Sequence, residues 1–288
     1  MAKPTKKANG ADKKPAASAK RKAPARKAPA RKAPAAKASA SKAPAKKKQT
    51  AAAASNLPMF YNKVEALSAS AHADLKVKEN NSDVSFARQS NSIMLTAVEF
   101  AQAAHHYPVV FGSKELEAVP FAVTGHTGSE NIFVGEDGKW REDVYIPAYV
   151  RRYPFILIEN TADTSVVLAV DPTSPMISKD EGKPLFEDGE GSDVAKGIMN
   201  LCVAYHREYL KTKVICKQIE ETGILIDRSA EVTLPDGTKT RVTGFRVVDE
   251  KAFNELSDED FIELRKSGAL TLIYCHLWSM RSWKNLLG

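Results

Sequence analysis

The sequence predicts an α+β protein preceded by a segment of different composition, and three observations carry that prediction. Short apolar runs rich in Val, Ile and Phe recur between turn residues, the pattern of antiparallel strands. A long helical repeat fills residues 193–223 and another apolar helix closes the chain, so helices are grouped between and after strands rather than alternating with them. The first 50 residues follow neither pattern. They hold 17 of the 42 Lys+Arg and one of the 35 Asp+Glu, a net of +16. The other 238 residues hold 25 bases and 34 acids, a net of −9. The formal +7 of the chain thus averages a cationic segment and an acidic folded part. The division expected is a disordered basic tail and linker over 1–56 and a single mixed domain over 57–288.

The tail repeats a pentad from Arg21 onward, "RKAPARKAPARKAPAAKASASKAPAKKK". Proline every five residues prevents a continuous helix, alanine offers little to bury, and like charges repel, so an extended chain is expected. Arg21, Lys22, Arg26, Lys27, Arg31, Lys32, Lys46, Lys47 and Lys48 are spaced to neutralise a polyanion by releasing condensed counterions, without reading bases. No aromatic residue precedes Phe60, so stacking on single-stranded bases is not expected. Nucleic acid, an anionic envelope polymer and the chain's own acidic domain are the candidate partners.

Within the folded part, residues 60–80 read as an extended lead-in with polar breaks. Thr96 then caps a helix, with Glu99 three positions on completing a capping box and Val98 and Phe100–Ala104 forming an apolar face. Pro108 disfavours helical dihedrals at Tyr107 and turns the chain into the strand "VVF". "VPFAVTG" and "NIFVGEDGKW" follow as β structure. "VYIPAYVRRY" (144–153) is a short helical or turn-like piece that Pro154 stops, and "FILIENTADTSVVLAVD" gives two strands around a polar turn. A long polar loop leads to the helix over 193–223, with Asp193 as N-cap, Gly223 as stop, and Ile198, Leu201, Cys202, Tyr205, Tyr209, Ile215 and Ile219 facing the core. Strands then flank a Pro-Asp-Gly turn at 235–237, and Ser257 and Gly268 bound a further helix before the apolar C-terminal one.

Three cysteines without a C-x-x-C suggest reduced thiols rather than a disulfide framework. No apolar stretch reaches the roughly 18–20 residues of a membrane span. The start "MAKPTKKANG" lacks an apolar segment after its charges, so the cytoplasm is expected, with non-classical export to the cell surface as the alternative. No catalytic motif, cofactor fingerprint or metal cluster is recognised, and no cofactor is expected. Cys202 and His206 stand four apart on a helix but lack further ligands, so core packing is the preferred reading. The acids Asp180, Glu181, Glu187, Asp188 and Glu190 do not follow a calcium-loop pattern. One stretch suggests a ligand site, the pocket of an enzyme or of a small-ligand-binding protein as the alternative function: Tyr145, Tyr149 and Tyr153 recur at spacing four beside Arg151 and Arg152. On one helix face these would make a cation–π surface for an anionic or planar group. The opposing reading has the tyrosines in the core and the arginines paired with Glu142, Asp143 or the acidic loop.

"MFYNKVEALSASAHADLKVK", "MLTAVEFAQAAHHYPVVF", "DVYIPAYVRRYPFIL", "GFRVVDEKAFNELSDE" and "SGALTLIYCHLWSM", in this order from Met59 to about Trp283, resemble the SapC family of bacterial proteins. The tail lies outside that pattern and resembles, in composition alone, the Lys/Ala/Pro tails of linker-histone-like proteins. The family takes its name from a paracrystalline bacterial surface layer. The resemblance therefore implies a non-enzymatic binding or assembly role, surface-layer association and self-association, and brings no catalytic residues. A peptide-uptake permease shares the name, but a chain without membrane helices does not fit it.

Overall fold

A computed structural model describes residues 57–78, 82–116, 118–159, 165–234 and 236–287. The basic tail, with Arg21, Lys22, Arg26, Lys27, Arg31, Lys32, Lys46, Lys47 and Lys48, lies outside the described residues.

The lead-in contributes β1 (Glu65–Ala66), a one-turn helix α1 (Ala69–His72) and β2 (Lys76–Val77). Next come β3 (Ser92–Met94), a 3-10 turn at Ala97–Glu99 and α2 (Phe100–His106). Tyr107 ends α2 in extended conformation, as Pro108 requires, and β4 (Val109–Gly112) follows. Then come β5 (Pro120–Val123), α3 (Ala148–Arg151), β6 (Phe155–Glu159) and β7 (Val166–Val170). The second Tyr-Pro joint differs from the first in having a cis peptide at Tyr153–Pro154. The stretch expected as a loop carries four two-residue strands: β8 (Ile177–Ser178), β9 (Lys183–Pro184), β10 (Phe186–Glu187) and β11 (Glu190–Gly191). The long helix is α4 (Asp193–Glu221). The hairpin β12 (Leu225–Thr233) and β13 (Lys239–Val248) precedes α5 (Glu250–Asn254), α6 (Asp258–Ser267) and α7 (Ala269–Ser279), which runs into a 3-10 turn at Met280–Leu287.

Helices set among and after antiparallel strands make this an α+β fold. The main sheet has the order β12-β13-β4-β5-β3, and a second has β1-β7-β6. Phe245 faces Gly112 across β13 and β4, and Phe155 faces Val170 across β6 and β7. The β12–β13 register slips between Arg228 and Ala230, and Gly244 sits opposite at φ +83, the left-handed residue such a bulge takes. The main core holds Phe100, Tyr107, Phe111, Ile219, Phe245 and Ile273. A second core joins Leu75, Phe155, Leu168, Val170 and Leu185 to Ala195 and Cys202 of α4. At about 1.5 Å per residue its 29 residues span roughly 44 Å. That length lets one helix pack against both cores, Cys202 in the second and Tyr205, Cys216 and Ile219 in the first.

Three sequence-based placements are corrected. Ser192, not Asp193, caps α4: its Oγ accepts from Ala195 N–H at 3.3 Å and donates to the Pro184 carbonyl at 2.7 Å. Leu201 is exposed, because the inward positions Ala195, Cys202, Tyr205, Thr212, Cys216 and Ile219 define a stripe from which residue 201 is turned by about 100°. Val98 is 67% exposed, since the 3-10 turn directs Glu99 inward in its place.

Candidate functional site

The turn at Thr96–Glu99 fixes the first part of the site. Glu99 is 3% exposed, and its carboxylate is fully occupied. Oε2 accepts from the Thr96 N–H and hydroxyl, both at 2.8 Å. Oε1 accepts from the Tyr145 hydroxyl at 2.9 Å and from the Ala148 N–H, at the start of α3, at 2.7 Å. Four donors make a buried carboxylate tolerable without a cation against it.

That anchor sets where the Tyr/Arg stretch goes. α3 spans only four residues, with Pro147 before it and Pro154 after, so Tyr145, Tyr149 and Tyr153 do not share a helix face. Tyr145 packs beside Glu99, and burial together with that carboxylate pushes its phenol up to about 12. Arg151 is exposed and folds back, its Nη2 donating to the Tyr145 hydroxyl at 3.2 Å and its Nε to the Ile146 carbonyl at 3.1 Å. Tyr153 points elsewhere, into a cluster with Tyr61, Phe60 and Phe86. Of the five candidates, only Tyr149 and Arg152 meet at a cavity.

Arg152 is 9% exposed and lies against two aromatic rings whose centres are 6.2 Å apart. Its guanidinium carbon is 4.2 Å from the Tyr149 ring centre and 4.6 Å from that of Tyr205 on α4. Neither arginine pairs with Glu142 or Asp143, and no described carboxylate forms an ion pair with Arg152. Its Nε is buried without a hydrogen-bond partner, and so is the Tyr205 hydroxyl. The phenols and the nearby thiol register both burial and this charge. Burial pushes Tyr149 and Tyr205 up, and the Arg152 cation pulls each part of the way back. Burial pushes the Cys202 thiol up to about 11 against the same pull.

The cavity beside Arg152 has a volume of about 390 Å³. Its walls come from separate parts of the fold: Met94 from β3 of the main sheet, Ile156 and Leu157 from β6 of the second, and Cys202, Tyr205, His206 and Tyr209 from α4, with Pro58 and Met59 of the lead-in closing one side. The Tyr149 hydroxyl reaches the Met59 carbonyl at 3.4 Å. The site thus lies where α4 passes from one core to the other. The α4 contribution was read from the sequence as core packing. The signal present was the run Cys202, Tyr205, His206 and Tyr209 on one side of a helix. Cys202 and His206 both line the cavity, and among the described residues no group of three or more His, Cys, Asp or Glu could hold a metal ion.

A cavity of about 430 Å³ beside Cys216 is lined by Lys213, Lys217 and Glu220, charges of both signs. Arg246, buried nearby, gives Nη1 to Glu220 at 2.6 Å and Nε to the Gly112 carbonyl at 2.7 Å. That guanidinium has its counter-charge; Arg152 does not.

The fold and this cavity define an α+β protein with a buried, aromatic-clad arginine set between two sheets. The family model described as SapC matches residues 67–286, three quarters of the chain, and the chain belongs to the SapC family. The match takes in every residue lining the cavity except Pro58 and Met59. No curated protein and no solved structure matches the chain. No helix among the described residues is long and apolar enough to cross a membrane.

Proposed function

We propose that this SapC-family chain is a binding protein that holds a small anionic molecule against Arg152. The observation that carries this reading is a buried guanidinium held against two tyrosine rings, with no carboxylate partner among the described residues. Removing such a cation from water costs several kcal/mol. Two cation–π contacts return on the order of 1–2 kcal/mol each, and they leave the buried Nε without an acceptor. An anion arriving edge-on supplies both the charge and the acceptors. Covalent catalysis is the less favoured use of the cavity: with its thiol pushed up to about 11, Cys202 carries very little thiolate at neutral pH. A thermal-shift comparison of the full-length protein and Arg152→Met, across small carboxylates, phosphates and sulfonates, tests the reading. Stabilisation of the wild type alone is expected. Equal stabilisation of both proteins, or of neither, would sink it.

The tail supports a second, separate contact. With 17 cations and one acid in 50 residues, it is suited to a phosphate backbone or an anionic envelope polymer, and the family name favours the surface layer as a place of work. Protease treatment of intact cells followed by fractionation separates the two. Digestion supports the surface, whereas protection with nuclease-sensitive release supports nucleic acid.

A further inference from the structure

We infer that the ligand of the Arg152 cavity is a monocarboxylate with a compact apolar body, either a medium-length acyl chain or a single aromatic ring. The inference rests on the reading that this cavity binds an anion, and it adds the chemistry of that anion. Charge comes first: Arg152 is the only Lys or Arg lining the cavity. One cation neutralises one carboxylate, whereas a phosphate dianion would keep a buried net charge. Phosphate sites also gather backbone N–H groups at a long helix start or several basic side chains, and neither is present around this cavity.

Geometry narrows the choice further. Tyr149 and Tyr205 flank the guanidinium on adjacent sides, their ring centres 6.2 Å apart and their planes at 69°, and its planar fork matches a carboxylate that accepts two parallel N–H bonds. The unpartnered Tyr205 hydroxyl stands on the same wall and can donate to a carboxylate oxygen. The apolar part of the lining is Pro58, Met59, Met94, Ile156 and Leu157, which accommodates an apolar body, and His206 and Tyr209 are the other polar side chains. Unbranched methionines adapt to either a chain or a ring. The volume, about 390 Å³, is near the low end for ligand cavities and suits a compact ligand.

Calorimetric titration of the full-length protein with octanoate, phenylacetate, octyl phosphate and octanol tests the inference. At least one of the two carboxylates should bind, and octanol should not. Arg152→Met should weaken that binding about tenfold or more, because it removes the charge and both N–H bonds. Tyr205→Phe keeps the ring over Arg152 and removes only the hydroxyl, so a loss of about threefold to tenfold with an unchanged melting temperature is expected. Arg151→Ala, outside the cavity, should bind like wild type. Binding of octyl phosphate without either carboxylate would overturn the carboxylate class and leave the anion site standing. Silence from every anion, or binding unaffected by Arg152→Met, would overturn the anion site itself.

Discussion

Arg152 and Glu99 are both buried charges, and their surroundings distinguish a structural group from a binding one. Glu99 has four donors on its two oxygens and ties the 3-10 turn at residue 96 to the start of α3. Glu99→Ala leaves those donors without an acceptor and should cost about 3 kcal/mol or more. In a domain of this size that lowers the melting temperature by roughly 6 °C or more. Arg152 has two flanking tyrosine rings and no carboxylate partner among the described residues, so an apolar side chain of similar length removes an uncompensated charge. Arg152→Met should melt no lower than the wild type in the absence of ligand. Calorimetric scans of both variants check the contrast; a drop for Arg152→Met as large as that for Glu99→Ala would make Arg152 a structural residue.

At the scale of elements, α7 is fastened to the main sheet through His276, which is fully buried. Its Nε2 accepts from the Val248 N–H at 3.1 Å, so Nδ1 carries the proton and donates to the Val109 carbonyl at 2.6 Å. The ring therefore links β4 and β13, and protonating Nε2 would break one of its two bonds. Burial pushes this imidazole down to about 4 in the folded protein, against an ordinary value of 6.5. Between those values the unfolded chain takes up the proton first, so stability falls on acidification, by about 1.4 kcal/mol per pH unit. The loss totals roughly 3 kcal/mol and stops once the folded protein also protonates. Denaturant unfolding between pH 7 and pH 4 should show this slope in the wild type and a shallower one in His276→Gln. Equal slopes would show that His276 does not control acid stability.

At the scale of the whole molecule, the separation of charge predicts two binding behaviours in one chain. The contact proposed for the tail's cations with duplex DNA should weaken by roughly 10³-fold between about 50 and 200 mM salt. Arg152 is buried, and screening reaches buried pairs far less. Carboxylate binding should therefore change little over the same salt range. Gel-shift and calorimetric titrations at matched ionic strengths measure both. Steep salt dependence in the cavity would mean that Arg152 is exposed to solvent when it binds.

The sequence alone determined most of the elements, because helix caps, prolines and periodicity act through neighbouring residues. Thr96–Glu99, Tyr107–Pro108, Ser257 and the glycines at 223 and 268 set boundaries that hold in the fold. The α+β class and the family were legible for the same reason: they reside in the order of local patterns. The site was only half legible. Tyr149 and Arg152 were recognisable as a pair, but equal spacing on paper placed Tyr145, Arg151 and Tyr153 with them. The shortness of α3 between two prolines sends those three elsewhere. Only the tertiary structure decided that Tyr205, 53 positions further on, also packs against Arg152 and that no described carboxylate pairs with it. Long-range packing brings those groups together, and whether a buried charge finds a partner depends on what surrounds it in space, which the order of residues along the chain does not contain.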